Sequence, residues 1–226
     1  MLVLLLLCKI CVVLGSVVGE NCSSAVTVCN TPGQFCDTGN VVGGGANTCQ
    51  LAQAGYYATG DGTQQVPGAG NCASAAGSSC SAATGATTTF ACTGTSYQTD
   101  STNPVTACST CNQNVNGCGG SSAGTCAAGY YGTASVADCT ACPAGFFKAA
   151  SGDGAVGTVC VTPGAGKCAS TDGASCETGT GADQTFACTG TKYQTATSGA
   201  VTACSDCNQN VNGCGGSSAG TCAAGY

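Results

Sequence analysis

Residues 108–126 read CSTCNQNVNGCGGSSAGTC, and residues 204–222 read CSDCNQNVNGCGGSSAGTC. The agreement extends upstream and downstream. At an offset of 96, residues 72–130 match 168–226 without a gap at 44 of 59 positions, and all seven cysteines coincide. A cysteine-anchored period of this length marks a tandem array whose fold is set by cross-links within each unit. The mismatches are uneven. Thr110 against Asp206 is the only one in 108–130, and the rest cluster mainly at 81–88 and 100–104. Ser, Thr, Ala, Asp and Gly exchange there, which predicts exposed loops between the cysteines.

Composition points the same way. The chain has 226 residues with 23 Cys and 37 Gly, but only 4 Lys+Arg, 10 Asp+Glu, no His and no Trp. Beyond the first 19 residues its large apolar side chains are Leu51, the Phe and Tyr residues and scattered Val. That is too little hydrocarbon for an ordinary core in a chain of this length. The absence of His excludes Ser-His-Asp and Cys-His catalysis and any His-bearing metal site. A net charge of −6 gives no footprint for nucleic acid. The expected fold class is small and disulfide-rich: tandem cysteine-rich repeats with short β-hairpins and irregular loops, and little helix outside a leader. Strand-like pieces such as Thr89-Phe-Ala-Cys92 and Thr95-Ser-Tyr-Gln-Thr99 lie between turn signals such as Asn116-Gly117 and Gly152-Asp153-Gly154.

The expected organisation is a signal peptide at 1–19, a divergent partial repeat at 20–71, a complete repeat at 72–167 and an incomplete one at 168–226. Residues 1–19 read MLVLLLLCKICVVLGSVVG, with Val17 and Gly19 at the small positions of a cleavage site. In the partial repeat Cys22, Cys29, Cys36 and Cys49 are spaced much as Cys111, Cys118, Cys126 and Cys139. Ala54-Gly-Tyr-Tyr57 then answers Ala144-Gly-Phe-Phe147. Ala52 stands where Cys142 would be, and nothing answers Cys160. Two cysteines missing together suggest that Cys142 and Cys160 are bonded to each other. The block 22–49 then closes on itself, and so do Cys111, Cys118, Cys126 and Cys139, Cys72, Cys80, Cys92 and Cys108, and Cys168, Cys176, Cys188 and Cys204. Within each block three connectivities stay open. Cys108-x-x-Cys111 and Cys139-x-x-Cys142 become seams between blocks. Of the mature cysteines only the last repeat holds an odd number, so the chain reads as ending inside a repeat.

Few residues invite a functional reading. Cys-x-x-Cys pairs serve redox chemistry or zinc elsewhere, but in a secreted chain structural disulfides are the simpler role. The aromatic pairs Tyr56-Tyr57, Tyr130-Tyr131 and Phe146-Phe147 each follow Ala-Gly and are expected to pack on neighbouring disulfides; a ligand platform is the alternative. The carboxylates show no calcium or acid–base spacing. Asn21-Cys-Ser23 is the one N-glycosylation sequon. No catalytic residue, metal ligand or cofactor is expected.

Cys139-Thr-Ala-Cys142-Pro-Ala-Gly-Phe-Phe147, set in Ala/Gly/Thr-rich cysteine repeats behind a secretory leader, resembles the surface immobilisation antigens of ciliated protists. Growth-factor-receptor-type cysteine-rich ectodomains carry similar runs. The resemblance implies an external coat protein, held to the membrane by a glycolipid anchor at a C-terminal tail that these residues do not include. Its partners would be neighbouring coat molecules, with no enzymatic activity. The alternative is a ligand-binding cysteine-rich ectodomain of a receptor or secreted recognition protein, whose partner would be an unknown extracellular ligand.

Overall fold

With glycine, serine, threonine and alanine filling the gaps between cysteines, no segment beyond residue 19 has the apolar stripe that a stable helix or a wide sheet would bury. The computed structural model, which describes residues 22, 29, 31–40, 42–43, 46–60 and 62–225, is accordingly built from short antiparallel pairs. The leader at 1–19 and Asn21 lie outside the described residues. So does Tyr226. No helix among the described residues is long and apolar enough to cross a membrane.

The chain forms two compact units, one of residues up to Cys111 with Cys118–Ala123, the other of Asn112–Gly117 with everything from Gly124 onward. In the first, β1 (Gln34–Asp37) pairs with β2 (Thr48–Leu51), β3 (Asn71–Ser74) with β4 (Thr88–Ala91), and β5 (Ser96–Tyr97) with β6 (Ser109–Thr110). In the second, β7 (Val115–Asn116) pairs with β8 (Thr125–Cys126) and β9 (Tyr130–Tyr131) with β10 (Thr140–Ala141). A single helical turn, α1 (Val156–Val159), precedes β11 (Lys167–Ser170), which pairs with β12 (Gln184–Ala187). The last pairs are β13 (Lys192–Tyr193) with β14 (Ser205–Asp206), and β15 (Val211–Gly215) with β16 (Ser218–Cys222). Among the described residues every sheet has two strands, a size that is marginal alone in water. The strand-like pieces read from the sequence fall on β4 and β5.

Apolar burial is correspondingly thin. Its clusters are Phe35 with Ala52 and Ala58, and Cys126 with Ala134 and Cys139 under half-buried Val115 and Tyr130. The four cysteines 22, 29, 36 and 49 form a cluster by themselves. Cross-links therefore do what a core does elsewhere, each contributing about 2–4 kcal/mol, chiefly by restricting the unfolded chain.

A recurring joint connects successive hairpins within each unit, and cysteine spacing alone does not reveal it. Five tight turns, closed by N–H donation from Tyr56 to Gln53, Ser96 to Thr93, Tyr130 to Ala127, Phe146 to Pro143 and Lys192 to Thr189, each lead into an aromatic residue. After four of these aromatics (Tyr57, Tyr97, Phe147 and Tyr193) comes a buried residue: Ala58, Gln98, Lys148 or Gln194. Its carbonyl accepts from an upstream glycine (Gly33, Gly70, Gly129 or Gly166, at 2.7–2.8 Å). Its own N–H donates to a downstream carbonyl (Ala86, Gly120, Ala182 or Gly216, at 2.8–3.1 Å). Glycine is required at Gly33 and Gly129, where φ is +85° and +78°. A Cβ there would also strike the carbonyl oxygen of Gly85 or Gly181.

Candidate functional site

Among the described residues, 20 of the 21 cysteines are paired, in ten disulfides, and Cys222 is free and exposed. Cys142 is bonded to Cys160, with a Cα–Cα distance of 5.6 Å. Each four-cysteine block closes internally. Cys72 is paired with Cys80 and Cys92 with Cys108; the next copy repeats this as Cys168–Cys176 and Cys188–Cys204. Cys111–Cys118 and Cys126–Cys139 follow in series, and Cys207–Cys214 answers Cys111–Cys118. The two members of Cys108-x-x-Cys111 belong to different bridges, as do those of Cys139-x-x-Cys142.

One equivalence expected from spacing does not hold. Cys22 pairs with Cys36 and Cys29 with Cys49, an interlocked pattern unlike the serial one at 111–139. The joints explain why. Gly33 and Gly129 play the same part, each preceding the hairpin that ends at Ala52 or Cys142, whose N–H donates back to that glycine. The offset of 96 that superposes Gly33 on Gly129 brings Cys29, not Cys36, beside the place of Cys126. Cys29–Cys49 is thus the counterpart of Cys126–Cys139, and Cys22–Cys36 is an addition of the first repeat. Counting gaps between cysteines misses this because the turn glycine, not the gap, sets the register.

Sulfurs of neighbouring disulfides crowd together in three blocks: Cys22, Cys29 and Cys49 lie within 4.8 Å of one another, and in the other two the approach reaches contact. Cys80 Sγ lies 3.5 Å from Cys108 Sγ, which is 3.9 Å from Cys72 Sγ. In the later copy Cys176 Sγ is 3.5 Å from Cys204 Sγ, which is 4.0 Å from Cys168 Sγ. With every sulfur oxidised these are contacts between disulfides, not hydrogen bonds. Three sulfurs within 4.8 Å of one another have the spacing of a metal-thiolate cage, but bonded sulfurs offer no thiolate ligand. Each contact borders a shallow hollow. One, of about 380 Å³, is lined by Cys80, Phe90 and Cys108 among others; the other, of about 510 Å³, by Cys176, Phe186, Lys192 and Cys204.

Lys148 is the most unusual polar residue. It occupies at its joint the place that Gln98 and Gln194 take at two others, and it is 6% exposed. Its Nζ donates to the carbonyls of Tyr130 (2.7 Å), Gly152 (2.5 Å), Cys126 and Ala127 (both 3.2 Å). An ammonium has three protons, so at least one is shared between acceptors. Burial pushes it below the ordinary lysine value, and nearby Asp153 opposes that shift. At the equivalent joints Gln98 and Gln194 each leave Oε1 without a partner.

The carboxylates hold backbone rather than substrate. Asp153 accepts from the N–H groups of Cys126 (2.9 Å) and Ala134 (3.2 Å), beyond the turn role expected from Asp153-Gly154. Asp138 accepts from the Gln113 N–H at 2.6 Å. Asp100 is held well below the usual carboxylate range by the Thr102 N–H, then by the Asn103 side chain and N–H. Asp172 is lowered chiefly by the Ala174 N–H. The aromatic pairs divide their work. Tyr130 packs on the Cys126–Cys139 bridge as expected, whereas Tyr56 packs on Phe35, Ala52 and Ala58. The second aromatic of the first and third pairs, Tyr57 and Phe147, makes backbone bridges at a joint.

Two differences between the copies prove to be one. Ser96 is opposite Thr110 in β5–β6, and Lys192 is opposite Asp206 in β13–β14. The later pair forms an ion pair at 2.8 Å. Comparison with protein-family models gives no match, and comparison with curated proteins gives no significant similarity.

Proposed function

We propose that this chain is a structural repeat of an external coat, of the kind formed by the immobilisation antigens that its Cys139–Phe147 passage resembles. Its extensive disulfide bonding is consistent with an extracellular cysteine-rich protein. The observation that carries the reading is where the copies differ. None of the positions at which 72–130 and 168–226 disagree is buried in either copy, while the cysteines, the turn glycines and the joint residues Gln98 and Gln194 are kept. The exposed stretches 75–79 and 101–104, with their counterparts 171–175 and 197–200, are the surface on which such a protein would vary. Thr88 and Ser96 show that the variable positions also enter strands, on half-buried sites.

The test is staining of intact, unpermeabilised expressing cells with antibodies raised separately against 99–104 and 195–200. Uniform surface labelling by both, without cross-reaction, and release of the antigen by a phospholipase that cleaves glycolipid anchors is the expected result. Labelling only after permeabilisation, or surface retention through a transmembrane segment, would remove the coat reading in favour of another compartment or a receptor ectodomain.

A further inference from the structure

We propose that the blocks Cys72/Cys80/Cys92/Cys108 and Cys168/Cys176/Cys188/Cys204 are thiol–disulfide exchange sites, with Cys108 and Cys204 as the nodes through which reduction passes. The substrate class is an external dithiol. Thiolate attack on a disulfide requires an accessible sulfur, a nucleophile in contact with it, and a leaving thiolate. The block holds the accessible sulfur and the leaving group, and the first attack by the outside dithiol frees the nucleophile already in contact. Cys80, Cys92 and Cys108 line the hollow, but Cys92 and Cys72 are buried while Cys80 and Cys108 are half-buried, so an outside thiol meets Cys80 or Cys108 first. Cys108 Sγ is then in contact with both sulfurs of the neighbouring bridge, at 3.5 and 3.9 Å. The later copy repeats the arrangement at 3.5 and 4.0 Å.

The reaction balances as follows. A thiolate of the dithiol attacks Cys80 Sγ, forming a mixed disulfide; the Cys72–Cys80 bond breaks and its electron pair leaves on Cys72. The Cys72 thiolate attacks Cys108 Sγ, forming Cys72–Cys108; the Cys92–Cys108 bond breaks and Cys92 leaves as a thiolate. The second thiol of the reagent attacks the reagent's own sulfur in the mixed disulfide, releasing Cys80 and closing the reagent as a cyclic disulfide. The reagent is oxidised by two electrons, and its two protons end on Cys80 and Cys92. Two protein disulfides have become one disulfide and two thiols. Cys80, freed 3.5 Å from Cys108, can repeat the attack and exchange places with Cys72. In either product Cys108 stays oxidised and Cys92 is free; the block keeps one cross-link, as it would after simple opening of Cys72–Cys80, but that cross-link is non-native and the two free thiols come from different native bridges.

The experiment uses the full chain with Cys222→Ser, which removes the exposed free thiol. Limiting dithiothreitol, acid quenching, alkylation and peptide mapping identify the thiols of the singly reduced species. The expected result is Cys92 alkylated while Cys108 is bonded to Cys72 or Cys80, and likewise Cys188 with Cys204 still oxidised. Intramolecular attack at contact distance outruns attack by millimolar reagent, so these species should exceed natively paired dithiols by about tenfold. Cys111–Cys118 and Cys142–Cys160 serve as internal controls and should open as native pairs. Recovery of Cys72 with Cys80, or Cys92 with Cys108, as the thiol pairs overturns the proposal. So does equal scrambling in the control bridges, which would mean that exchange follows unfolding. A variant with Cys72→Ser and Cys80→Ser should return Cys92–Cys108 to simple opening; continued Cys108-bonded products there would also overturn it.

Discussion

Residues 112–126 and 208–222 are identical in sequence, yet they meet different surroundings. Their backbones agree closely: φ is +57° at Asn114 and +58° at Asn210, +71° at Gly117 and +69° at Gly213, and +142° at both Gly119 and Gly215. Val115 is opposite Cys126 as Val211 is opposite Cys222. The first hairpin is covered. Asn112 Nδ2 donates to Ala134 O, Asn114 Nδ2 to Cys139 O, and Lys148 to the Cys126 carbonyl, while Cys126 is fully buried and bonded to Cys139. In the second, Asn208 is exposed where Asn112 is half-buried, and the free Cys222 is exposed where Cys126 is buried. The hairpin is therefore specified locally by its turn residues. The burial and the oxidation state of its last cysteine are supplied by whatever packs on it.

The largest test of that contrast is to remove each cysteine. Cys126→Ser should cost about 2–5 kcal/mol in denaturant unfolding, since it opens a buried bridge. Cys222→Ser should stay within about 0.5 kcal/mol, as exposed substitutions do. Equal costs would end the comparison. Next, Lys148→Met strips the covering donor from four carbonyls and should destabilise by about 2–4 kcal/mol, with Lys148→Gln recovering part. Hydrogen exchange should then show faster opening at Val115 and Asn116 and no change at Val211 and Asn212. A smaller effect is expected at the turn that follows each hairpin. Gly129→Ala meets the Gly181 carbonyl and should cost about 2–3 kcal/mol, whereas Gly225→Ala, also at positive φ but in open space, should cost about 1 kcal/mol. Thermal unfolding of the two variants separates backbone strain from steric collision. The smallest effect concerns the Lys192–Asp206 pair, whose side chains are 52% and 79% exposed. Lys192→Ser with Asp206→Thr, restoring the earlier copy's residues, should change stability by at most about 1 kcal/mol, and the change should shrink in high salt.

The fold class was legible because composition leaves so few alternatives: cysteine and glycine, not hydrocarbon, dominate the chain between Cys22 and Cys222. The pairing of Cys142 with Cys160 followed from their joint absence in the first repeat. What escaped were features set by contact rather than by spacing. The interlocked bridges at 22–49 depend on the turn at Gly33, whose equivalence to Gly129 shows only when both carbonyls that approach them are seen. The burial of Lys148 is invisible because a lysine after Phe-Phe reads as a solvated charge, and only the shared joint position with Gln98 and Gln194 says otherwise. A clue was available: an aromatic follows at a fixed distance after Cys92, Cys126, Cys142 and Cys188, and a buried residue comes next in three of these four cases. The touching disulfides had no sequence signal at all, since the segments of Cys80 and Cys108 meet through backbone bonds at Ala73, which accepts from the Ser81 N–H and donates to the Val105 carbonyl.

The serial bridges also give the chain a graded mechanical length. A pulling force reaches only the segments between cross-links, because every residue inside a closed loop is shunted by its sulfur bond. Cutting Cys142–Cys160, with a sequence separation of 18, would release roughly 55 Å of hidden contour. Cutting Cys111–Cys118, with a separation of 7, would release roughly 18 Å. Under load and in the presence of a reductant, the array should lengthen in discrete steps, each identifying the bond that yielded.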